Sequence, residues 1–291
     1  MRLGLLGFGL IGGSIARALR ASGADWSVAA WSPTGSGPRD AHADGTIDTA
    51  APTIQVAVAG ADLIVLAAPP LACLELLGRL GGSLRDGLTA GAVITDVAST
   101  KGRLIERAIE DGLRFVGGHP MAGRDTSGWA ASTADLFVGR PWVIVPGDPA
   151  DIAARERVES LARACGAEPL TMSAPEHDAA VAAISHLPLV VAAALVEAVS
   201  EGEDGQIRGD WPAAAALAAS GWQGATRLAR GDVEMGAGIL ATNGPAIAAR
   251  LRDLRAVLDG WLAELERPNG PDHADLAARL AAARRRLEGD T

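Results

Sequence analysis

Four short segments of this 291-residue chain combine residue types that could do chemistry. The first is Gly7-Phe8-Gly9-Leu10-Ile11-Gly12, a G-x-G-x-x-G pattern directly after an opening apolar run. In that setting Gly7 permits a tight turn, Gly9 lets a pyrophosphate approach the backbone, and Gly12 lets helix and strand pack closely. The free N–H groups of the helix N-terminus then face the phosphate. The other three are Thr95-Asp96-Val97-Ala98-Ser99-Thr100-Lys101-Gly102, Gly117-Gly118-His119-Pro120-Met121-Ala122-Gly123 and Ser185-His186-Leu187-Pro188. They bring together hydroxyls, a carboxylate, an amine and two imidazoles. Lys101 is the sole lysine among 26 basic residues. In so arginine-biased a chain it marks either a place that needs a compact ammonium or a surface lysine kept by chance.

The elements that must position these groups are legible in the apolar periodicity. Runs at residues 3–6, 28–31, 63–67, 93–96, 115–116 and 143–145 read as strands, with helical patterns at 12–22 and 71–80 between them. That alternation predicts a parallel sheet covered on both faces. A helix over 151–165 and a last strand over 168–172 follow. From residue 175 the periodicity is helical only, over 175–200, 211–230, 244–266 and 272–288, with turn-rich breaks at 202–209, 231–238 and 268–271. The expected organisation is α/β plus all-α: a Rossmann-like dinucleotide-binding domain over 1–173, then a helical dimerisation domain over 174–291. The segments holding Ser99 and His119 follow strands and so fall at the carboxyl edge of the sheet, where open α/β folds bind ligands. His186 falls on the first helix of the second domain.

A fold that takes NAD places a carboxylate at the end of the second strand, for the ribose 2′-hydroxyl. Here the chain reads Ala30-Trp31-Ser32-Pro33-Thr34, with Arg39 and Asp40 following. Ser32 stands where the acid belongs. The repulsion against a 2′-phosphate is absent, and Ser32, Thr34 and Arg39 can bind one, so NADP or NAD fits, with the balance towards NADP.

Composition narrows the classes. A net charge of −9 argues against a nucleic-acid partner, which needs a basic face. Arg284, Arg285 and Arg286 suit the C-terminal dipole of their helix instead. Cys73 and Cys165 offer neither zinc-ligand spacing nor a disulfide framework, which points to a reducing, cytoplasmic setting without metal. The first strand starts at residue 3, so no cleavable leader is expected ahead of it. The apolar stretch 187–199 carries Pro188 and Glu197 and is expected to be too short and too polar to span a bilayer.

The glycine loop and the three polar segments, in this order, resemble the prephenate and arogenate dehydrogenases along nearly the whole chain. The set that includes the glycine-flanked His119-Pro120, with Thr126-Ser127-Gly128 close behind, is the most specific part. The resemblance implies an NAD(P)-dependent oxidative decarboxylation of prephenate in tyrosine biosynthesis. Arogenate or an amino-substituted relative is the alternative substrate. It also implies roles. His119 matches the catalytic histidine that takes the proton of the substrate's 4-hydroxyl, and Ser99 the serine that orients that hydroxyl. Arg227, in Gly221-Trp222-Gln223-Gly224-Ala225-Thr226-Arg227, matches an arginine that binds a substrate carboxylate. Asp125 stands where the family often has a glutamate near the pocket mouth. His186 matches the first histidine of an SHLPH-like motif, and Lys101 is grouped with the substrate-binding residues.

Three positions depart from the family pattern: Leu189 for the second histidine of that motif, Gly224-Ala225 for an acidic residue before Thr226-Arg227, and Gly236 for the tryptophan of a DPEMW-like segment. Two other readings share the architecture. One is a β-hydroxyacid dehydrogenase or imine reductase; hydroxyacid dehydrogenases of this kind use a lysine from the helical domain, whereas Lys101 lies in the first. The other is a nucleotide-binding relative that has lost catalysis. The alanine-rich helices are expected to form a homodimer, and no regulatory domain is expected beyond the last helix.

Overall fold

Apolar runs that can be covered on both faces become the strands of a central sheet. In the computed structural model, which describes residues 1–202 and 205–289, these are β1 (Arg2–Leu6), β2 (Ser27–Trp31), β3 (Thr49–Ala50), β4 (Leu63–Leu66) and β5 (Val93–Asp96). All pair in parallel, in the order β3-β2-β1-β4-β5. Helices α1 (Leu10–Ser22), α2 (Ser36–Ala43), α3 (Ile54–Val58), α4 (Pro70–Gly81) and α5 (Gly102–Glu110) form the crossovers. The strand period of two divides the core between the faces. Leu3, Leu5, Leu63 and Val65 pack with Ile15 and Leu19 of α1. Leu6, Ile64, Leu66 and Ile94 pack with Leu76, Leu77 and Leu104 of α4 and α5. The order reverses between β1 and β4, so the carboxyl ends of these strands open the crevice in which a ligand belongs.

The remaining strands correct the expectation of one parallel sheet. β6 (Val116–Pro120), β7 (Pro141–Pro146) and β8 (Glu168–Thr171) form a separate three-stranded sheet, with β7 antiparallel to β6 and β8 parallel to β7. A single parallel bridge, Ile94 to Phe115, joins it to β5. The reason lies in the connections. A parallel return needs a crossover helix, and residues 121–140 contain only a 3-10 turn, Trp129–Ala131. Helix α6 (Ile152–Ala164) supplies the crossover from β7 to β8.

After β8 the chain is helical. Ser173 and Glu176 form a capping box that starts α7 (Ala174–Val181). A π-helical turn over Ala182–His186 leads into α8 (Leu187–Ser200). Pro188 causes that turn, because it has no N–H to donate and its ring crowds the preceding carbonyl. The helical run Ala174–Ser200 is therefore 27 residues long, with a mean hydropathy of 2.2 in its most apolar window. This exceeds the short stretch expected from sequence and suffices, by length and composition alone, to cross a bilayer.

The helix expected over 211–230 is three pieces: α9 (Trp211–Ala216), α10 (Ser220–Thr226) and a 3-10 turn over Arg227–Arg230. The alanine run favours one continuous helix, yet the chain is extended at Ala219, against its local preference. The break expected at 231–238 is instead the start of α11 (Val233–Leu265), where Asp232 accepts the Met235 N–H at 2.8 Å. Part of the break expected at 202–209 falls on residues 203–204, outside the described residues. Helix α11 kinks at Asn243 (φ −125°, ψ 21°), two residues before Pro245. The chain divides into two compact units between Gly244 and Pro245. The second holds the rest of α11 and α12 (His273–Glu288), tied by Arg279 donating to Gly260 O at 3.0 Å and stacking over Trp261.

Asp151 links the strand layer to α6. It caps the helix by accepting the Ala154 N–H at 3.0 Å and takes Arg114 in a two-pronged bond at 2.5 and 2.7 Å. Arg114, then the cap, holds its carboxyl down at about 2. The pKa is depressed on folding, so this stability is present above the ordinary value and fades as pH falls from about 4 to about 2. Asp151→Ala is expected to lower stability by about 1–2 kcal/mol in urea denaturation at neutral pH, the range for a lost helix cap. The gap to wild type should narrow in acid; an equal gap at pH 7 and pH 3 would refute this account.

Candidate active site

The loop after β5 is wrapped around one buried carboxylate. Asp96 accepts the N–H of Ala98 at 2.9 Å and of Gly118 at 3.1 Å, and its remaining acceptor capacity is met by the Lys101 ammonium. Both side chains of this ion pair are fully buried. Burial pushes the Asp96 carboxyl up, while Lys101 and the two N–H groups work the other way. A buried pair survives only when its other hydrogen-bonding positions are filled, and on the Asp96 side two backbone N–H groups fill them. The glycines ahead of His119 make the arrangement fit. A Cβ on Gly118 would lie 2.6 Å from the Asp96 carbonyl oxygen, and one on Gly117 would lie 2.8 Å from Lys101 Cδ. Lys101 therefore points into the protein and shapes the loop, rather than meeting a ligand as expected.

His119 stands near the end of β6, on the same edge as Ser99, which follows β5. Its Nδ1 lies 2.9 Å from Nε2 of His177 in α7, and the rings meet edge to face. His177 Nδ1 lies 2.8 Å from Asp178 Oδ1. Asp178 also accepts the N–H groups of Lys101 and Gly102 at 2.9 and 2.8 Å, which caps the start of α5. Its backbone carbonyl accepts from the amide of Asn243 at 2.9 Å. That same amide nitrogen lies 3.1 Å from Nδ1 of His186, in the π-helical turn. Three imidazoles, one carboxylate and one amide thus form a continuous polar chain. Of the five buried side-chain atoms without a hydrogen-bond partner among the described residues, two, Ser99 Oγ and His186 Nε2, belong to the segments that hold this site. Unpaired buried polar atoms are costly and rare, so they mark places where a ligand can complete the bonding.

The electrostatics favour the neutral forms of His119 and His186. Burial first, then the positive charge of Lys101 and of His177 and His186 when protonated, holds the His119 pKa well below the usual histidine range. Burial holds His186 down to about 4, against the pull of Asp178. For Asp178 burial acts upward, but His177 and the N–H groups of Gly102 and Lys101 prevail and keep its carboxyl below the usual range. Burial pushes both thiols, Cys73 and Cys165, up to about 12, so neither is a nucleophile near neutral pH. Among the described residues no cluster of histidine, cysteine or carboxylate side chains is arranged to hold a metal ion.

The glycine loop after β1 has the shape a dinucleotide requires. Gly7 has φ +100°, and a Cβ there would lie 2.1 Å from the Ala67 carbonyl oxygen. A Cβ on Gly12 would lie 2.4 Å from the Gly7 carbonyl oxygen, whereas one on Gly9 would meet nothing within 4 Å. The space over Gly9 is open, and α1 begins there with no side chain capping it. Its first N–H groups are therefore available to an anion, with Leu10 and Ile11 in that first turn. Phe8 is buried beneath, with Trp129 packed on it at 5.0 Å between centroids. Beyond β2, Ser32 Oγ accepts the Gly35 N–H at 3.1 Å, Thr34 and Ser36 share a hydrogen bond at 3.0 Å, and Arg39 is exposed beside them.

Arg227 and Asp125 are brought together from 102 positions apart, at 3.0 Å, with both side chains exposed. Such a pair contributes little stability, about 0–1 kcal/mol, and both groups stay accessible to a charged ligand. The sequence reading found the histidine at the sheet edge but missed His177, Asp178 and Asn243. The available signal was an adjacent imidazole and carboxylate at the start of an otherwise apolar helical run.

Comparison with known proteins agrees with this geometry. Residues 15–170 match the family model for the nucleotide-binding domain of prephenate dehydrogenase, and residues 173–279 match the model for its dimerization domain. The prephenate dehydrogenase of Bacillus subtilis is 32% identical over 266 residues, covering 90% of this chain and 68% of that protein. The probable prephenate dehydrogenase NovF of Streptomyces niveus is 32% identical over 88% of this chain and 67% of its own length. The crystal structure of Synechocystis arogenate dehydrogenase superimposes with a TM-score of 0.79 at 30% identity, covering 99% of this chain and 100% of that one. With both domain models matched in order along the chain and relatives of 32% identity over about nine-tenths of it, the chain belongs to the prephenate dehydrogenase family.

Proposed function

We propose that the chain oxidises and decarboxylates prephenate, or its amino counterpart arogenate, with a nicotinamide dinucleotide as oxidant. The observation that carries this reading is a half-buried histidine, bonded to a second imidazole and held well below its usual pKa, on the sheet edge that also bears the open glycine loop. When bound, the cofactor supplies the hydride acceptor. His119 takes the proton of the C4 hydroxyl as the C4 hydrogen leaves with its electron pair. The bond from C1 to the ring carboxylate then breaks, CO₂ departs, its electrons make the ring aromatic, and the oxygen recovers its proton as a phenol. Ser99, whose Oγ has no protein partner, orients the hydroxyl. His186 offers its unpartnered Nε2 to a polar group of the substrate, and Arg227 binds a carboxylate at the mouth, with Asp125 holding it when the site is empty. Base catalysis of this kind contributes about 10²–10⁴-fold.

The end of β2 favours NADP over NAD in this reading. Ser32, Thr34 and Ser36 present hydroxyls beside the Arg39 guanidinium, with no carboxylate at the position that would repel a 2′-phosphate. The helical region favours a homodimer. Only 22% of the most apolar window of Ala174–Ser200 is buried within one chain, and Leu217, Val233 and Ile207 are exposed as well. A second copy covers such a face at less cost than water does.

The deciding experiment follows absorbance at 340 nm with prephenate and arogenate, each against NAD and NADP. Turnover with at least one pair is expected, with the higher kcat/KM for NADP, and Ser32→Asp should reverse that preference towards NAD. No turnover in any of the four pairs would reject the reading. His119→Asn should keep the melting temperature while lowering kcat by about 10²-fold or more. Because burial depresses the His119 pKa, wild-type kcat/KM should stay flat through neutral pH and fall only on the acid side, as the base becomes protonated. A fall beginning above pH 7 would contradict this assignment. Light scattering at micromolar concentration should give twice the chain mass of 29.6 kDa; a monomer would exclude the dimer.

A further inference from the structure

The hydrogen bonds around Asp178 decide which nitrogen of each of the three linked histidines carries a proton. A carboxylate only accepts, so His177 Nδ1 donates to Asp178. In the neutral ring Nε2 is then an acceptor, and it faces Nδ1 of His119 at 2.9 Å. His119 must therefore carry its proton on Nδ1 and leave Nε2 bare. A parallel argument fixes His186. The Asp178 carbonyl accepts, so Asn243 turns its amide nitrogen and not its oxygen towards it, and the second N–H of that nitrogen meets His186 Nδ1. His186 then carries its proton on Nε2, the atom without a protein partner.

We propose that Asp178 and His177 are positioning residues for the dehydrogenation, which fix His119 as the Nδ1–H tautomer and steady the imidazolium formed when its Nε2 takes the substrate's hydroxyl proton. This rests on the reading of His119 as the base. One proton moves, from the hydroxyl oxygen to His119 Nε2; the protons on Nδ1 of His119 and of His177 stay where they are. The imidazolium shares its charge through His177 with the Asp178 carboxylate, which is itself fixed by the N–H groups of Lys101 and Gly102. The groups that face His119 are Lys101, already paired with Asp96, and His177 and His186. Of these, only His177 offers His119 an acceptor.

The test combines nitrogen-15 NMR of the imidazoles with kinetics of His177 variants. The chain has five histidines, so single substitutions assign every ring. At neutral pH without substrate, His119 is expected to show a protonated Nδ1 and a bare Nε2, and His186 the reverse. His177→Phe should abolish the His119 preference and lower kcat about 10²-fold with KM values within a few-fold, in a protein that stays folded but melts a few degrees lower. His177→Gln, whose amide oxygen can accept from Nδ1–H, should keep the tautomer and recover most of that loss. In a His119→Asn background, His177→Phe should cost nothing further, because the pair acts as a unit. A protonated Nε2 on His119 in the wild type, or losses that multiply in the double variant, would overturn the proposal. Should His177→Phe fail to fold, the wild-type spectrum and His177→Gln still decide. A protein with the expected spectrum and no turnover on any substrate would defeat the dehydrogenase reading and, with it, this catalytic role, whereas turnover with the wrong tautomer would defeat the positioning pair alone.

Discussion

The Asp178 carboxylate is the point at which three distant parts of the chain are tied. Its oxygens take the backbone N–H groups that open α5, its neighbour His177 reaches β6 through His119, and its carbonyl holds the Asn243 amide at the kink of α11. Each of these bonds is made inside the protein, where an unmade one costs about 1–3 kcal/mol. The set is therefore all-or-none in character. If Asp178 moves, the start of α5 loses its cap, His119 loses its orientation, and the Asn243 amide loses an acceptor. An imidazole held this way is as rigid as the helices that hold it, although it sits at the end of a short strand.

The Asp96–Lys101 pair does the corresponding work beneath the site. Removing one partner of a buried ion pair costs about 3–5 kcal/mol, because the other is left charged in a medium of low dielectric. A hydrophobic pair of similar volume would be no less stable, so stability alone does not explain why ions stand here. The bonds explain it. Asp96 uses its oxygens to fix the N–H of Ala98 in one loop and of Gly118 in the next strand, which an apolar side chain cannot do. Lys101 suits the role because an ammonium is compact, and its stem packs so close to Gly117 that a Cβ there would lie 2.8 Å from Cδ. The arginine-rich composition made this lysine conspicuous in the sequence; its inward direction was not readable there.

How much of the molecule was legible in sequence follows from the range of the interactions. The glycine loop, four of the five strands of the first sheet and the edge positions of Ser99 and His119 are local consequences of period and turn, and they were readable; the two-residue β3 is too short to show a period. The antiparallel β7 was not, because its direction depends on whether residues 121–140 form a helix, and their glycines and polar residues leave that undecided. The π-helical turn was missed for another reason. Pro188 after a helical run signals either an end or a kink, and only packing on both sides keeps the run continuous. His177, Asp178 and Asn243 matter through contacts spanning 57 to 77 positions, and no local pattern encodes such a distance.

Two of the three departures from the family pattern turn out to be neighbours. A Cβ built on Gly236 would lie 3.6 Å from Cδ2 of Leu189. The first position would ordinarily hold an aromatic ring and the second an imidazole, by the resemblance that identified them. With glycine at one and leucine at the other, the pair loses one large ring and one polar group at the same place. Leucine fills part of the space that glycine vacates, so the change is a coupled repacking and not two independent losses. Gly224 stands apart, with nothing within 4 Å of an added Cβ. None of the three supplies a hydrogen bond to the polar chain that runs from His119 through His177 and Asp178 to Asn243 and His186. Under the proposed function, variation of that kind changes apolar packing in the helical region and leaves the hydrogen bonds of the proposed base, His119, as they are.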